Sequence, residues 1–330
     1  MMSEQESYRA TILPVPEGIN RPLWSVMIPT YNCADYLRET LATVLAQDPG
    51  SNVMQIEVVD DHSTKDDPEA VVQELGQGRV SFYRQPQNVG YIKNFETCLQ
   101  RSRGKLIHLL HSDDHVRDGF YDKMQTAFEK HPEIGAAFCR HICMDERGNW
   151  NYISALIETE SCVLSNWLER IAVKQCLQTP TIVVRREVYE KLGGFDRRIK
   201  YWGEDWEMWV RIAANYPVWF ETEPLAVYRD NRLGSLTNQS IRTGKNVQDI
   251  RLAAEICKSY LPQSTAKKLS QQAREFWAIY ALGDSQKLLS SGDLSGALAQ
   301  IREALRCRLS FRVIKRLIKV FILGVEKMMY

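Results

Sequence analysis

KLIHLLHSDD, residues 105–114, decides the fold: an apolar run from Leu106 to Leu110, with His108 inside it, ends abruptly in two adjacent acids. A strand that is apolar on both faces must lie inside a sheet covered on both sides, as parallel strands do. Working outward, WSVMI (24–28), IEVVD (56–60), VSFYR (80–84) and TIVVR (181–185) are further β-rich runs. Between the first four, apolar residues recur at helical spacing: Leu37, Leu41, Val44 and Leu45, then Ala70, Val71 and Leu75, then Ile92, Phe95 and Leu99. This alternation predicts an α/β fold with a mainly parallel sheet and helices on both faces. After Pro132 the pattern loosens through Glu160, a helix is expected over 165–175, and from about Ile241 the strand signal gives way to helices. The chain divides accordingly into an arm (1–22), an α/β domain (23–240) and a helical region (241–330).

Asp60-Asp61 and Asp113-Asp114 each follow a buried strand, at the edge where open α/β sheets bind ligands. Either pair alone is accounted for by helix capping or a turn. Two acidic pairs at one edge repel each other unless they share a cation or a positive ligand. Further along, Gly193-Gly194 permits a tight turn, and Glu204 and Asp205 open a helix whose buried face carries Met208, Trp209 and Ile212. Acids in a first helical turn are also explained by the helix dipole alone.

Composition narrows the function class. The 330 residues are 44% hydrophobic and 25% charged, and 42 Lys and Arg against 41 Asp and Glu leave a net charge of +1. A dedicated nucleic-acid binder is therefore not expected. Eight cysteines without a CxxC pair argue against a disulfide framework or a zinc ribbon, and Cys139 with Cys143 around His141 lacks a second pair at ligand spacing. The polar, proline-bearing amino terminus does not resemble a signal peptide, and no run is long enough to span a membrane. A cytoplasmic protein is expected.

Five segments in order then resemble the large inverting family 2 of nucleotide-sugar glycosyltransferases, with its GT-A fold: SVMIPTYN with Asp35 and Tyr36, VVDDHSTKD, PQNVGYIKN, LLHSDDH, and VVRREVYEKLGGFDRRIKYWGEDWEMWVRIA. The resemblance covers about residues 24–237. It implies transfer of a sugar, from a donor expected to be a uridine diphosphate sugar, to a hydroxyl on a glycan, lipid-linked or other acceptor. By resemblance the donor site comprises Pro29, Thr30, Tyr31, Asn32, Asp61, Asn88, Gly90, Asn94, Asp113 and Arg229. Asp113 and Asp114 hold Mn2+ or Mg2+, with His115 either a third ligand or an exposed loop residue. Asp205 is the base, supported by Glu204. Hard oxygen ligands suit such a cation, and a carboxylate within hydrogen-bond reach can take the acceptor proton. The sequence departs from the family pattern at His111, where the family has an acid, and at Asn231, where it often has a histidine; Arg229 and Arg232 remain nearby to offset phosphate charge. A nucleotidyltransferase shares the nucleotide layout and acidic metal sites but not the GGFD and GEDWEMW block. A non-catalytic scaffold that keeps the fold and recruits a partner through its helical tail is the non-enzymatic alternative.

The tail carries one further pattern. WAIYALGDSQKLLSSGDLSGALAQIREALR predicts a helical hairpin, a single unit rather than a repeat array. Over 309–330, Arg312, Lys315, Arg316 and Lys319 share one helical face and Val313, Ile314, Leu317, Ile318 and Phe321 the other. Such a helix either docks on its own domain or lies on an anionic membrane surface. Eight Lys and Arg against two acids in 301–330 give that segment +6, and the rest of the chain −5.

Overall fold

The computed structural model describes residues 8–230 and 235–328. Its residues form two compact units, one from Met1–Ser165, Leu177–Phe195 and Asn215–Asp230, the other from Asn166–Cys176, Asp196–Ala214 and Asn231–Tyr330. Two segments that precede residue 240, one carrying Glu204 and Asp205, thus belong to the helical unit.

The first unit is built on a ten-stranded sheet: β1 (Trp24–Thr30), β2 (Met54–Asp60), β3 (Ser81–Arg84), β4 (Leu106–Leu109), β5 (His115–Val116), β6 (Ala136–Met144), β7 (Trp150–Ile153), β8 (Cys162–Val163), β9 (Ile182–Arg185) and β10 (Val218–Arg229). The order is β3-β2-β1-β4-β9-β6-β10-β5, with β7 on β6 and β8 on β10. The half from β3 to β4 is parallel, as the apolar runs require. Beyond it the sheet is mixed: β9 enters antiparallel between β4 and β6, and β6 and β10 then run parallel to each other. Trp24, Val26 and Ile28 of β1 pack with Leu37, Leu41 and Val44 of the following helix, all buried. Because Thr30 pairs with Asp60 across β1 and β2, the loops after these strands leave the sheet at one edge.

Two expectations need correction. The stretch after Pro132, read as loosely patterned, contains β6, a nine-residue strand buried at all but Arg140. The helix expected over 165–175 is only Trp167–Ile171. His108, the polar break in β4, is fully buried, with Nε2 3.0 Å from the Pro180 carbonyl and its ring stacked on Phe120. Burial lowers its pKa to about 4, so at neutral pH it is an uncharged core residue.

The second unit is helical, with Glu204–Ala213, Leu236–Thr243, Lys245–Lys258, Gln263–Ser290, Leu294–Cys307 and Phe311–Met328 as its longer elements. Gln263–Ser290 and Leu294–Cys307 form the expected hairpin, and Asp293 caps the second helix by accepting the Gly296 N–H at 2.9 Å. Their core includes Ala278, Ala281, Leu282, Ile301 and Ala304. Among the described residues no helix is long and apolar enough to cross a membrane.

Candidate active site

At the ligand edge of the sheet, the loops after β1 and β2 are locked together. Asn32 adopts φ 48°, and its Oδ1 accepts the N–H groups of Thr64 and Lys65 at 2.9 and 3.0 Å. Its own N–H donates to Ser63 Oγ at 2.8 Å, and Asp66 accepts the Ala34 N–H at 2.7 Å, capping the helix that follows. The acidic pair splits in role. Asp60 is buried against Arg84 at 2.8 Å and the Ser63 turn. Asp61 holds the next loop, accepting Val89 N–H at 2.7 Å and Gly90 N–H at 3.0 Å. Burial raises its pKa, and those two N–H groups oppose the rise. Asn88 Nδ2 donates to the Asp61 carbonyl at 3.1 Å, and buried Asn94 donates to the Val59 carbonyl at 2.9 Å. Gly90, at φ 84°, caps the helix Tyr91–Arg101. Tyr31 is 45% exposed, and Thr30 Oγ1 is buried without a hydrogen-bond partner.

After β4, among the described residues, one group of metal-ligating side chains stands together: His111, Asp113 and Asp114, whose ligand atoms lie within 4.8 Å of one another. The His111 ring stacks on Phe95, with 5.1 Å between centroids, and its Nε2 is buried without a hydrogen-bond partner. Burial lowers its pKa, with Asp113 opposing, so the imidazole is neutral at pH 7 and keeps a lone pair for ligation. Two carboxylates and a neutral imidazole fit Mn2+ well and Mg2+ acceptably.

This group is held by a brace that was not read from the sequence. Arg229, buried at the end of β10, donates its backbone N–H to Asp114 Oδ1 at 2.9 Å and its Nε–H to the Asp113 carbonyl at 3.1 Å. Its guanidinium also reaches Glu39 Oε2 at 2.6 Å and the Glu146 carbonyl at 3.1 Å, and lies over the Tyr36 ring. Thr40 Oγ1 sits 2.9 and 2.8 Å from the carbonyls of Ser112 and Asp114. His115 Nε2 faces Glu39 Oε2 at 3.1 Å and is outside the three-residue group.

In the helical unit, Gly203 at φ 93° starts the helix that carries Glu204 and Asp205; a Cβ there would stand 2.9 Å from Ile250 Cδ1. Asp205 Oδ2 accepts Gln175 Nε2–H at 2.6 Å and Oδ1 accepts the Trp206 N–H at 2.7 Å. Below it, fully buried Trp206 donates Nε1–H to the Ile171 carbonyl at 2.6 Å, fixing the helix start. Asp249 accepts the N–H groups of Lys200 and Tyr201 at 2.8 and 2.6 Å and so anchors the preceding loop.

Residues 25–193 match the family model for glycosyl transferase family 2. The chain belongs to this family. An uncharacterized glycosyltransferase of Methanocaldococcus jannaschii is 25% identical over 231 residues, spanning 68% of this chain and 77% of the relative. In fold, the chain is similar to residues 1–349 of S. aureus TarS in complex with UDP-GlcNAc, with TM-score 0.59, 16% identity, and 86% and 90% of the two chains covered. It is also similar to a mannosyltransferase from Pyrobaculum calidifontis in complex with GDP-Man and Mn2+, with TM-score 0.58, 18% identity, and 96% and 90% covered. The fold is thus GT-A, with a helical carboxy-terminal region.

For this family 2 chain, the sheet unit brings together Thr30, Asn32 and Asp61 at the edge after β1 and β2, and His111, Asp113 and Asp114 after β4. Glu204 and Asp205 stand at one helix start in the other unit. Asn231 and Arg232 lie outside the described residues. Thr40 had one available signal, a polar residue on the apolar face of Leu37, Leu41 and Val44. Asp249 and the bracing role of Arg229 had none.

Proposed function

We propose that this chain is a metal-dependent inverting glycosyltransferase that moves a sugar from a nucleotide-sugar donor, uridine-linked, to a hydroxyl on a glycan or lipid-linked acceptor in polysaccharide or glycoconjugate synthesis. The reading is carried by the His111, Asp113 and Asp114 group, which directly follows β4 within the family-matched segment. The donor complexes of the two similar structures support a nucleotide sugar as the donor class. A cytoplasmic setting, in which its eight cysteines stay as thiols, belongs to the same reading.

In this reading His111, Asp113 and Asp114 hold the cation, which when bound supplies positive charge for the departing diphosphate. Tyr31 offers its exposed ring to the base, while Pro29, Thr30, Asn32 and Asp61 shape the nucleoside site, with Asn88, Gly90 and Asn94 keeping Asp61 and its loop in place. Asp205 takes the proton of the acceptor hydroxyl as that oxygen bonds to the anomeric carbon, and Glu204 orients the acceptor. The bond from the anomeric carbon to the phosphate oxygen breaks, and its electron pair leaves with the nucleoside diphosphate. Attack from the face opposite the leaving group inverts the anomeric configuration.

Purified chain incubated with UDP-GlcNAc or GDP-mannose and Mn2+ is expected to release nucleoside diphosphate slowly even without acceptor. Release of sugar 1-phosphate instead would identify transfer of the nucleotidyl group, and no release or binding of any donor in a panel would sink the reading. Arg229 acts here as a positioning residue. Arg229→Lys, which cannot bridge the Asp113 carbonyl, Glu39 and the Glu146 carbonyl at once, is expected to weaken Mn2+ binding about 10- to 100-fold, with most turnover regained at saturating Mn2+. Calorimetric Mn2+ titration with kcat measured across metal concentration checks this; unchanged Mn2+ affinity would contradict the bracing role.

A further inference from the structure

We propose that helix Phe311–Met328 seats the protein on an anionic lipid bilayer surface through an apolar face that its own docking leaves outward. The helix does dock within its unit: Val313 and Val320 are fully buried, and with Leu317 they join the cluster of Ala278, Ala281 and Leu282. That contact uses only one stripe. At 3.6 residues per turn, the neighbouring sector carries Phe311, Ile314, Ile318, Phe321 and Ile322, exposed by 82%, 42%, 54%, 51% and 55%. The sector beyond it carries the exposed cations Arg312, Lys315 and Lys319. The helix surface therefore runs from docked apolar, through exposed apolar, to basic.

A solvent-facing helix stripe normally carries polar residues in that second sector, and scattered single apolar residues need no explanation. Five large apolar side chains on contiguous turns do need one. Charge complementarity selects the occupant. Exposed cations border the apolar sector along one edge, and the segment 301–330 holds +6 while the rest of the chain holds −5. Apolar groups entering the acyl boundary with cations at headgroup level is the arrangement of an interfacial helix on anionic lipid. In this orientation the two roles are compatible: the inward stripe fixes the helix to its unit, and the outward sector remains available to the bilayer. The inference does not depend on the sugar-transfer reading, because vesicle binding is measured without donor or acceptor.

The test is co-sedimentation of the full chain with large vesicles of phosphatidylcholine, with and without phosphatidylglycerol. The chain is expected to pellet with the anionic vesicles and to be released by high salt. Lys315→Gln with Lys319→Gln is expected to weaken binding to anionic vesicles by about fivefold per lysine, with little change on phosphatidylcholine. Ile318→Ser with Phe321→Ser should weaken binding to anionic vesicles at least as much while leaving salt-dependent selectivity. Both pairs alter exposed side chains, and unchanged thermal unfolding verifies the fold; the lysine pair alone keeps the test decisive if the apolar pair disturbs it. The proposal fails if the chain stays in the supernatant with anionic vesicles, or if neither pair alters binding. It also fails if sedimentation velocity shows a dimer that the apolar pair dissociates while vesicle binding is absent, since the face would then belong to a second copy.

Discussion

Asp205→Asn is expected to lower the transfer kcat by about a thousandfold while leaving the donor Kd within about twofold, the size of effect general-base removal has elsewhere. The side chain is isosteric, so what changes is proton affinity: an amide cannot take the acceptor proton near neutral pH. The local structure should survive. Asp205 accepts one N–H on each oxygen, from Gln175 and from Trp206, and an asparagine retains one of those two acceptors. The anchors below remain untouched, namely the Trp206 indole on the Ile171 carbonyl and Asp249 on the Lys200 and Tyr201 N–H groups. Donor affinity is expected to persist because the proposed nucleoside site, Thr30, Tyr31, Asn32 and Asp61, belongs to the sheet unit. Single-turnover transfer and calorimetric titration with UDP separate the two effects. Unchanged turnover refutes the base assignment, and parallel loss of turnover and UDP affinity reassigns Asp205 to structure.

The parallel half of the sheet was legible because β1, β2 and β4 are buried on both faces and write mostly apolar runs into the sequence, in spite of Ser25, Gln55, Glu57 and His108. β6 and β10 were not, for reasons visible in their residues. AAFCRHICM carries Arg140 and His141 mid-strand; Arg140 donates to the Ser154 carbonyl at 2.9 Å, and the buried His141 ring lies edge-on to Tyr152 and Tyr228, so both face residues outside their own strand. VWFETEPLAVYR contains Glu221, Glu223 and Pro224, a pattern that argues against a long strand. Pro224 lies where the β10 register against β6 shifts, an irregularity that tolerates a residue without an N–H. Only the tertiary pairing reveals that both halves of the segment belong to one strand.

The site divides the same way. Acids directly after buried strands are a local signal, so Asp61, Asp113 and Asp114 could be singled out as candidates from sequence. What those acids contact is non-local: Asp61 is 28 residues from the N–H of Val89, and Asp114 is 115 residues from the N–H of Arg229. A lone arginine at a strand end carries no mark of whether it meets phosphate or protein. Here its side chain is already engaged by the Asp113 carbonyl, Glu39 and the Glu146 carbonyl, which supports the proposal that it braces the loop of the candidate cation ligands.

Removal of divalent cation is expected to have the largest effect of all, reducing kcat/KM by about 10³-fold or more, since neutralising a departing diphosphate is worth several kcal/mol. EDTA should abolish transfer and added Mn2+ should restore it. Asp113→Ala should reproduce the chelated state even at saturating Mn2+, because one anionic ligand is lost while the Arg229 contacts to the Asp113 carbonyl and Asp114 remain available to hold the loop. His111 gives the sharper discrimination. Its ring is held by stacking on Phe95, and its Nε2 has no hydrogen-bond partner, so its contribution as a ligand can be separated from a structural one. His111→Asp places the acid that the family pattern carries there and is expected to keep activity while shifting preference from Mn2+ toward Mg2+, because carboxylate is the harder ligand. His111→Phe preserves the stacking without a ligand atom and is expected to weaken Mn2+ binding. Binding followed by electron paramagnetic resonance of Mn2+, with and without UDP, reads this independently of turnover. Full activity in EDTA would remove the cation from the mechanism, and equal Mn2+ affinity in wild type and His111→Phe would remove His111 from its ligands.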